Sequence, residues 1–227
     1  MRITDRDMRL IRDMALSHVL SRDQIIALNY FGSVTRTNTR LRELRSEGFV
    51  RPIATPFFAQ HLYCVGAQAH SVLSERISSL VAARTGSPRF LQHALCVTNV
   101  RIALLRRGAT AWRFEQQAHS RFEWKGQTLE VRPDGLAIFG DRITAVEVDL
   151  GHVAPAKVRE KFSALDKFIA SGSCRAQWMV EACKLLVVTT GPLRARRLER
   201  LVPSDCRFDS AFVPHDQLGI PFAGAWS

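Results

Sequence analysis

The sequence predicts an α+β fold in two parts, a small helical module followed by a sheet domain. Three observations lead there. Up to Gly48, apolar side chains recur at helical spacing, with cap and stop signals between the runs. From Ala109 the period becomes that of strands, rich in β-branched and aromatic residues. One amphipathic helix, starting at Pro155, then separates strands from a further strand, the order of a mixed sheet.

The elements follow in turn. Residues 4–17 place Met8, Ile11 and Ala15 on one helical face, behind Thr4 or Asp5 as a cap. The run "LSRDQIIALNYFG" gives a second helix, capped by Ser21 and stopped by Gly32. The run "SVTRTNTRLRELRSEGF" gives a third, with Val34, Leu41 and Leu44 as its apolar stripe and Gly48 at its end. Two β segments follow around Thr55-Pro56. Three helices and then a hairpin is the order of a winged helix-turn-helix, whose third helix enters the major groove of DNA. Thr35, Arg36, Thr37, Asn38 and Arg40 occupy its leading turns, with Arg42 and Arg45 behind them and Arg51 in the hairpin. Arginine and asparagine read guanine and adenine through paired hydrogen bonds. An ordinary three-helix domain or a protein-binding winged helix would show the same element order.

Charge supports a polyanion partner. Lys+Arg is 32 against Asp+Glu 21, a net charge of +11, and the pI is near 10.3. Between Arg76 and Arg113 there are arginines and no acid. The expected partner is double-stranded DNA. No apolar run approaches the ~18 residues of a membrane span, and the charged N-terminus lacks an apolar secretory core. Five scattered cysteines form no C-x-x-C pair, which argues against zinc and against a disulfide framework. A cytoplasmic protein, associated with the bacterial nucleoid or a plasmid, is expected.

Residues 66–107 have helical patterning in two runs, "AQAHSVLSERISSLVAARTG" and "SPRFLQHALCVTNVRIALLRRG". The second begins on the Ser87-Pro88 signal and carries His93 and Asn99, two candidates for an accessory role. A satisfied structural histidine is the plainer reading of His93. The chain thus divides into a winged helix over 1–66, a helical connection over 67–108 that begins the second part, and a sheet domain over 109–227.

The sheet domain holds the sharpest feature, "RPDGLAIFGDRITAVEVDLG". It reads as two strands joined by a Gly-Asp-Arg turn. Side chains alternate faces along a strand, so Glu147 and Asp149 share one, and Asp134 sits at the start of the hairpin partner. Three carboxylates can therefore converge at one sheet end. Like charges so placed need a cation, or one of them stays protonated, and hard oxygen ligands with retained water suit Mg²⁺ or Mn²⁺. On the following helix Val158, Phe162, Leu165 and Ile169 form the apolar stripe, and Lys161 stands at its border, within reach of the carboxylates. There it can stabilise charge on a phosphoryl oxygen or orient an attacking water. Each of the four residues alone has a bland explanation. Their occurrence in one strand–strand–helix unit of a basic protein is the signal.

Pro133-Asp134, Glu147-x-Asp149 and Lys161 together resemble the PD-(D/E)XK nuclease core, with aspartate at 149 where that pattern has lysine. Along nearly its full length the chain is similar to the replication-relaxation family of plasmid and mobile-element proteins, relatives of the MOBC-type conjugative relaxases. The similarity is carried by "LQHALCVTN", "RPDGLAIF", "VEVDLG", "KVREKF" and "LLVVTTGPLR" in that order. It implies metal-dependent nicking of DNA at a transfer origin. Asp134, Glu147 and Asp149 would serve as metal ligands and Lys161 as an assisting residue. Other mobilisation or replication proteins would be partners, with a homodimer allowed. None of the seven histidines forms the His-hydrophobic-His pair of the tyrosine relaxases. Two alternatives remain: a catalytically inactive nuclease-fold accessory protein or transcription regulator, and a restriction or anti-phage nuclease.

Overall fold

The computed structural model describes residues 2–56, 58, 61–74, 77 and 87–219. These form two compact units divided between Ile102 and Ala103, within one helix. The first part of the expected connection therefore groups with the N-terminal unit. The helix expected over 66–86, with Leu80 on its buried face, lies largely outside the described residues. Its start, Ala67–Ser71, is a short 3-10 turn.

The N-terminal unit runs α1 (Asp5–Ser17), β1 (Leu20–Ser21), α2 (Arg22–Ala27), α3 (Val34–Ser46), β2 (Val50–Ile53), β3 (Leu62–Val65) and most of α4 (Pro88–Arg106). Its starts are chemically specified. Thr4 and Asp7 form a reciprocal capping box at α1, and Ser21 and Gln24 form another at α2. Ser33 accepts from the Arg36 N–H at 3.2 Å to begin α3, which gives way to Gly48 at φ 76°. The sheet order is β1-β3-β2, antiparallel throughout. Leu10, Ile11, Met14, Leu20, Ile25, Leu41, Leu44 and Val50 share the core beneath it. Gln24 ties the unit together: its side-chain N–H donates to the Leu95 carbonyl at 2.8 Å and to Asn99 Oδ1 at 2.7 Å.

The second unit holds β4 (Ala111–Phe114), α5 (Glu115–Ala118), β5 (Ser120–Trp124), β6 (Gln127–Val131), β7 (Gly135–Phe139) and β8 (Arg142–Asp149). It continues with α6 (Pro155–Ala170), α7 (Ser173–Trp178), β9 (Lys184–Thr189), α8 (Pro192–Glu199) and β10 (Ser210–Pro214). Five strands make a mixed sheet in the order β10-β9-β8-β7-β4. β4, β7 and β8 are antiparallel, and β9 and β10 run parallel to β8. The fold is thus α+β, as the patterning predicts. β5 and β6 form a separate two-stranded ribbon rather than joining the sheet.

α6 covers one face of the sheet. Its Val158, Phe162, Leu165 and Phe168 meet Ile143, Ala145, Leu185 and Val187 in one core. Those strand residues sit at alternate positions, so Glu147 and Asp149 lie on that same face, toward the C-terminal end of β8. Burial of the α6 stripe is what places Lys161 over β8.

Candidate carboxylate site and nucleic-acid face

The β7–β8 hairpin pairs Gly135 with Val146. One position further, the Asp134 N–H donates to the Val146 carbonyl at 2.9 Å, which sets Asp134 opposite Glu147. The Asp134 carboxylate does more than face it. Its Oδ2 accepts from the Val148 N–H at 2.7 Å, closing the ladder where β7 has no residue left to pair. Lys161 Nζ donates to Glu147 Oε2 at 2.5 Å. Glu147 is mostly buried, whereas the lysine is half exposed. Burial pulls the Lys161 pKa down, but Glu147 and then Asp134 overcome it, and the net shift is upward. Lys161 is therefore a fixed positive charge between two carboxylates.

Gly135 is required here. A Cβ on it would lie 2.0 Å from Cζ2 of Trp112, whose ring crosses the strand from β4. The bare backbone at 135 lets that indole close over the residue next to Asp134.

A third carboxylate stands on the same sheet end, unnoticed in the sequence. Phe114 of β4 pairs with Gly135, so Glu115, the next residue, comes level with Asp134. Glu115 is held by an ion pair with Arg132, and its charge also raises the Lys161 pKa. Its signal was topological: only the β4–β7 register brings it here. Three carboxylates, Glu115, Asp134 and Glu147, then face two cations, Arg132 and Lys161.

Asp149 is not with them. It is 7% exposed and is gripped by Arg194 of α8, Nε to Oδ2 at 2.6 Å and Nη2 to Oδ1 at 3.1 Å. Thr189 Oγ1 donates to it at 3.3 Å. β9 ends level with Asp149, and α8 turns back to bring the guanidinium in. Arg194 was also missed, because 45 residues separate it from its partner.

Among the described residues, no three His, Cys, Asp or Glu side chains converge closely enough to hold a metal ion. Mg²⁺ commonly takes only one or two carboxylates and completes its shell with water and substrate phosphate. Asp134 and Glu147, hard oxygens at facing register positions, fit that smaller donor set.

On α3 the expected DNA-reading residues divide. Thr35, Arg36, Arg42 and Arg45 are exposed, as is Arg51 on β2, and Asn38 is half buried. Thr37 and Arg40 turn inward. Thr37 is fully buried and its hydroxyl donates to the Ser33 carbonyl at 2.8 Å. Arg40 clamps Asp7 of α1, Nε to Oδ1 at 2.9 Å and Nη2 to Oδ2 at 2.6 Å. It also reaches Glu43 at 2.6 Å. Helical spacing cannot tell a groove-facing arginine from one aimed at a neighbouring helix. Asn99 accepts from Gln24, and His93 is half buried on α4, both within the N-terminal unit. The two tyrosines also lie there, and the Tyr30 hydroxyl donates to Asp13.

The Asp7 clamp has a pH signature. Burial pushes its carboxyl pKa up, but the bonds from Arg40 and Thr4 pull it below the ordinary value. A depressed carboxylate pKa stabilises the fold above the unfolded-state value and loses that contribution as pH falls through the folded one. Thermal unfolding is expected to hold its midpoint near neutrality and to fall below about pH 4. Asp7→Asn should cost about 1–2 kcal/mol at neutral pH and flatten that acid limb. An unchanged limb in the variant would refute the assignment.

The model of the replication-relaxation family matches residues 11–179, about three quarters of the chain. The chain belongs to the replication-relaxation family. The family match spans the carboxylate hairpin and Lys161 and stops before β9 and α8. No curated protein matches the chain. Among solved structures, protein VC1899 from Vibrio cholerae is similar at 9% identity and a TM-score of 0.34, too low to carry an argument. The similarity covers 96% of this chain and 55% of that one. This replication-relaxation protein has no helix, among its described residues, long and apolar enough to cross a membrane.

Proposed function

We propose that this protein binds duplex DNA of a plasmid or mobile element through its N-terminal unit and nicks one strand with its second. The observation that carries the reading is the Asp134–Glu147 pair facing across one hairpin, with Lys161 2.5 Å from Glu147. The order β4-β7-β8, α6, β9 supports reading the second unit as a PD-(D/E)XK-like core, and α1-β1-α2-α3-β2-β3 supports reading the first as a winged helix. Membership of the replication-relaxation family supports a role in replication or mobilisation, alongside other proteins of that machinery or as a homodimer.

Asp134 and Glu147 would hold Mg²⁺ or Mn²⁺, which supplies Lewis acidity and a more acidic bound water. Lys161 neutralises Glu147 while no substrate is bound. It is placed to move its ammonium toward a phosphoryl oxygen as charge develops there. Hydrolysis breaks the P–O bond to the leaving ribose oxygen and adds water to phosphorus, so no covalent tyrosine is needed.

The test is nicking of supercoiled plasmid carrying the cognate origin, with metal varied. Relaxed product in Mg²⁺ or Mn²⁺, and none in chelator, is the expected result. Calorimetric titration with Mn²⁺ should show binding that Glu147→Ala removes. For the recognition helix, Arg36→Ala with Arg42→Ala should weaken duplex binding by at least ~10-fold and lower its salt slope by about 2. Gel shifts across a salt series check this. An unchanged slope would sink the groove assignment.

The second reading, an inactive accessory DNA-binding protein, is favoured by one observation. The position that carries lysine in the nuclease pattern is Asp149, and its charge is locked to Arg194. That reading expects salt-dependent DNA binding with no Mn²⁺ affinity.

A further inference from the structure

α8 buries Ala195 and Leu198 and turns Leu193, Arg196, Arg197 and Arg200 outward. These four are spaced i, i+3, i+4 and i+7, so they form one stripe. Leu193 is 70% exposed. None of the three guanidiniums has an ion-pair partner among the described residues, whereas Arg194 on the same helix is paired with Asp149. Like charges three and four apart destabilise a helix on their own, so the stripe is suited to an external polyanion.

Its position says which part of the polyanion. α8 starts just past Thr189, the residue paired with Asp149 at the end of β8. The stripe therefore begins at the sheet end that holds Asp134 and Glu147. Arg194 Nη2 also donates to the Val153 carbonyl at 3.0 Å. That bond draws the loop bearing Val153, itself 38% exposed, up to the first turn of the helix. Cations beside exposed apolar side chains suit unpaired DNA, where phosphates and unstacked base faces are both presented. An intact duplex keeps its base faces stacked and offers only their edges.

We propose that this α8 stripe binds the unpaired strand at the point of cleavage. Arg196, Arg197 and Arg200 take successive phosphates, and Leu193 with Val153 contacts a base turned out of the stack. The inference rests on the nicking reading and adds a second DNA surface to it. α8 lies beyond the residues matched by the family model.

The experiment compares the wild-type chain, the triple variant Arg196→Gln, Arg197→Gln, Arg200→Gln, and Leu193→Ala. Each is titrated with a fluorescent single strand and with its duplex across a salt series. Unchanged tryptophan fluorescence confirms that the variants fold. The triple variant should bind the single strand at least ~10-fold more weakly, with a salt slope smaller by about 2. Leu193→Ala should weaken single-strand binding about threefold and leave both the slope and duplex binding alone. A triple variant that binds the single strand as wild type does, or a silent Leu193→Ala, overturns the proposal. The nicking reading fails separately: if the wild type never nicks, yet single-strand binding still depends on the stripe, the surface stands without it.

Discussion

Glu147→Ala and Asp134→Asn should each reduce metal-dependent nicking by at least ~100-fold. Glu147→Ala removes one of two facing carboxylates and leaves Lys161 without the partner that fixes it. Asp134→Ala is the weaker test, since it also deprives the Val148 N–H of its acceptor and loosens the end of the hairpin. Asp134→Asn keeps an oxygen in that place and removes only the charge. An asparagine variant that folds normally, binds duplex DNA, and fails to nick would separate chemistry from architecture. Undiminished nicking in both variants would sink the site.

The largest stability effect is expected at α8. Arg194→Ala should destabilise the second unit by about 3–5 kcal/mol, because it leaves the buried Asp149 carboxylate with Thr189 as its remaining partner among these contacts. The double variant Arg194→Ala, Asp149→Asn should recover much of that loss, since the uncompensated charge is gone. Trp112, Trp124 and Trp178 all lie in this unit, so denaturant unfolding followed by tryptophan fluorescence reports on it. Additive losses in the double variant would show that the two side chains are not coupled. Nicking should suffer as well, since Asp149 anchors the strand that carries Glu147.

Most of the fold was legible because its signals are local. Thr4 and Ser21 announced two helix starts through their own hydroxyls. The alternation of Ile143, Ala145 and Glu147 announced both a strand and the face that α6 would cover. The hairpin turn then set Asp134 against Glu147, since a short turn leaves little freedom of register. Lys161 followed from the helical period. Alternation marks β5 and β6 as strands without naming their neighbours, and only the structure shows that they form a ribbon of their own.

The misplacements share one cause. Asp149 and Glu147 are two residues apart on one strand face, and spacing alone treats them alike. They differ because Lys161 of α6 reaches one and Arg194 of α8 the other. Arg40 and Arg36 are likewise one turn apart on α3. One serves α1 and the other faces solvent.

Periodicity, caps and turn chemistry act over a few residues, so the chain alone established its element order, its basic character and the hairpin with its two facing acids. Long-range contacts decided which charges are spent within the fold and which stay available. A carboxylate or guanidinium is neutralised by whatever the topology brings within ~4 Å, and no local pattern records that neighbour. Only the tertiary structure could assign Asp149 to Arg194, bring Glu115 beside Asp134, and leave the arginines of α8 facing outward.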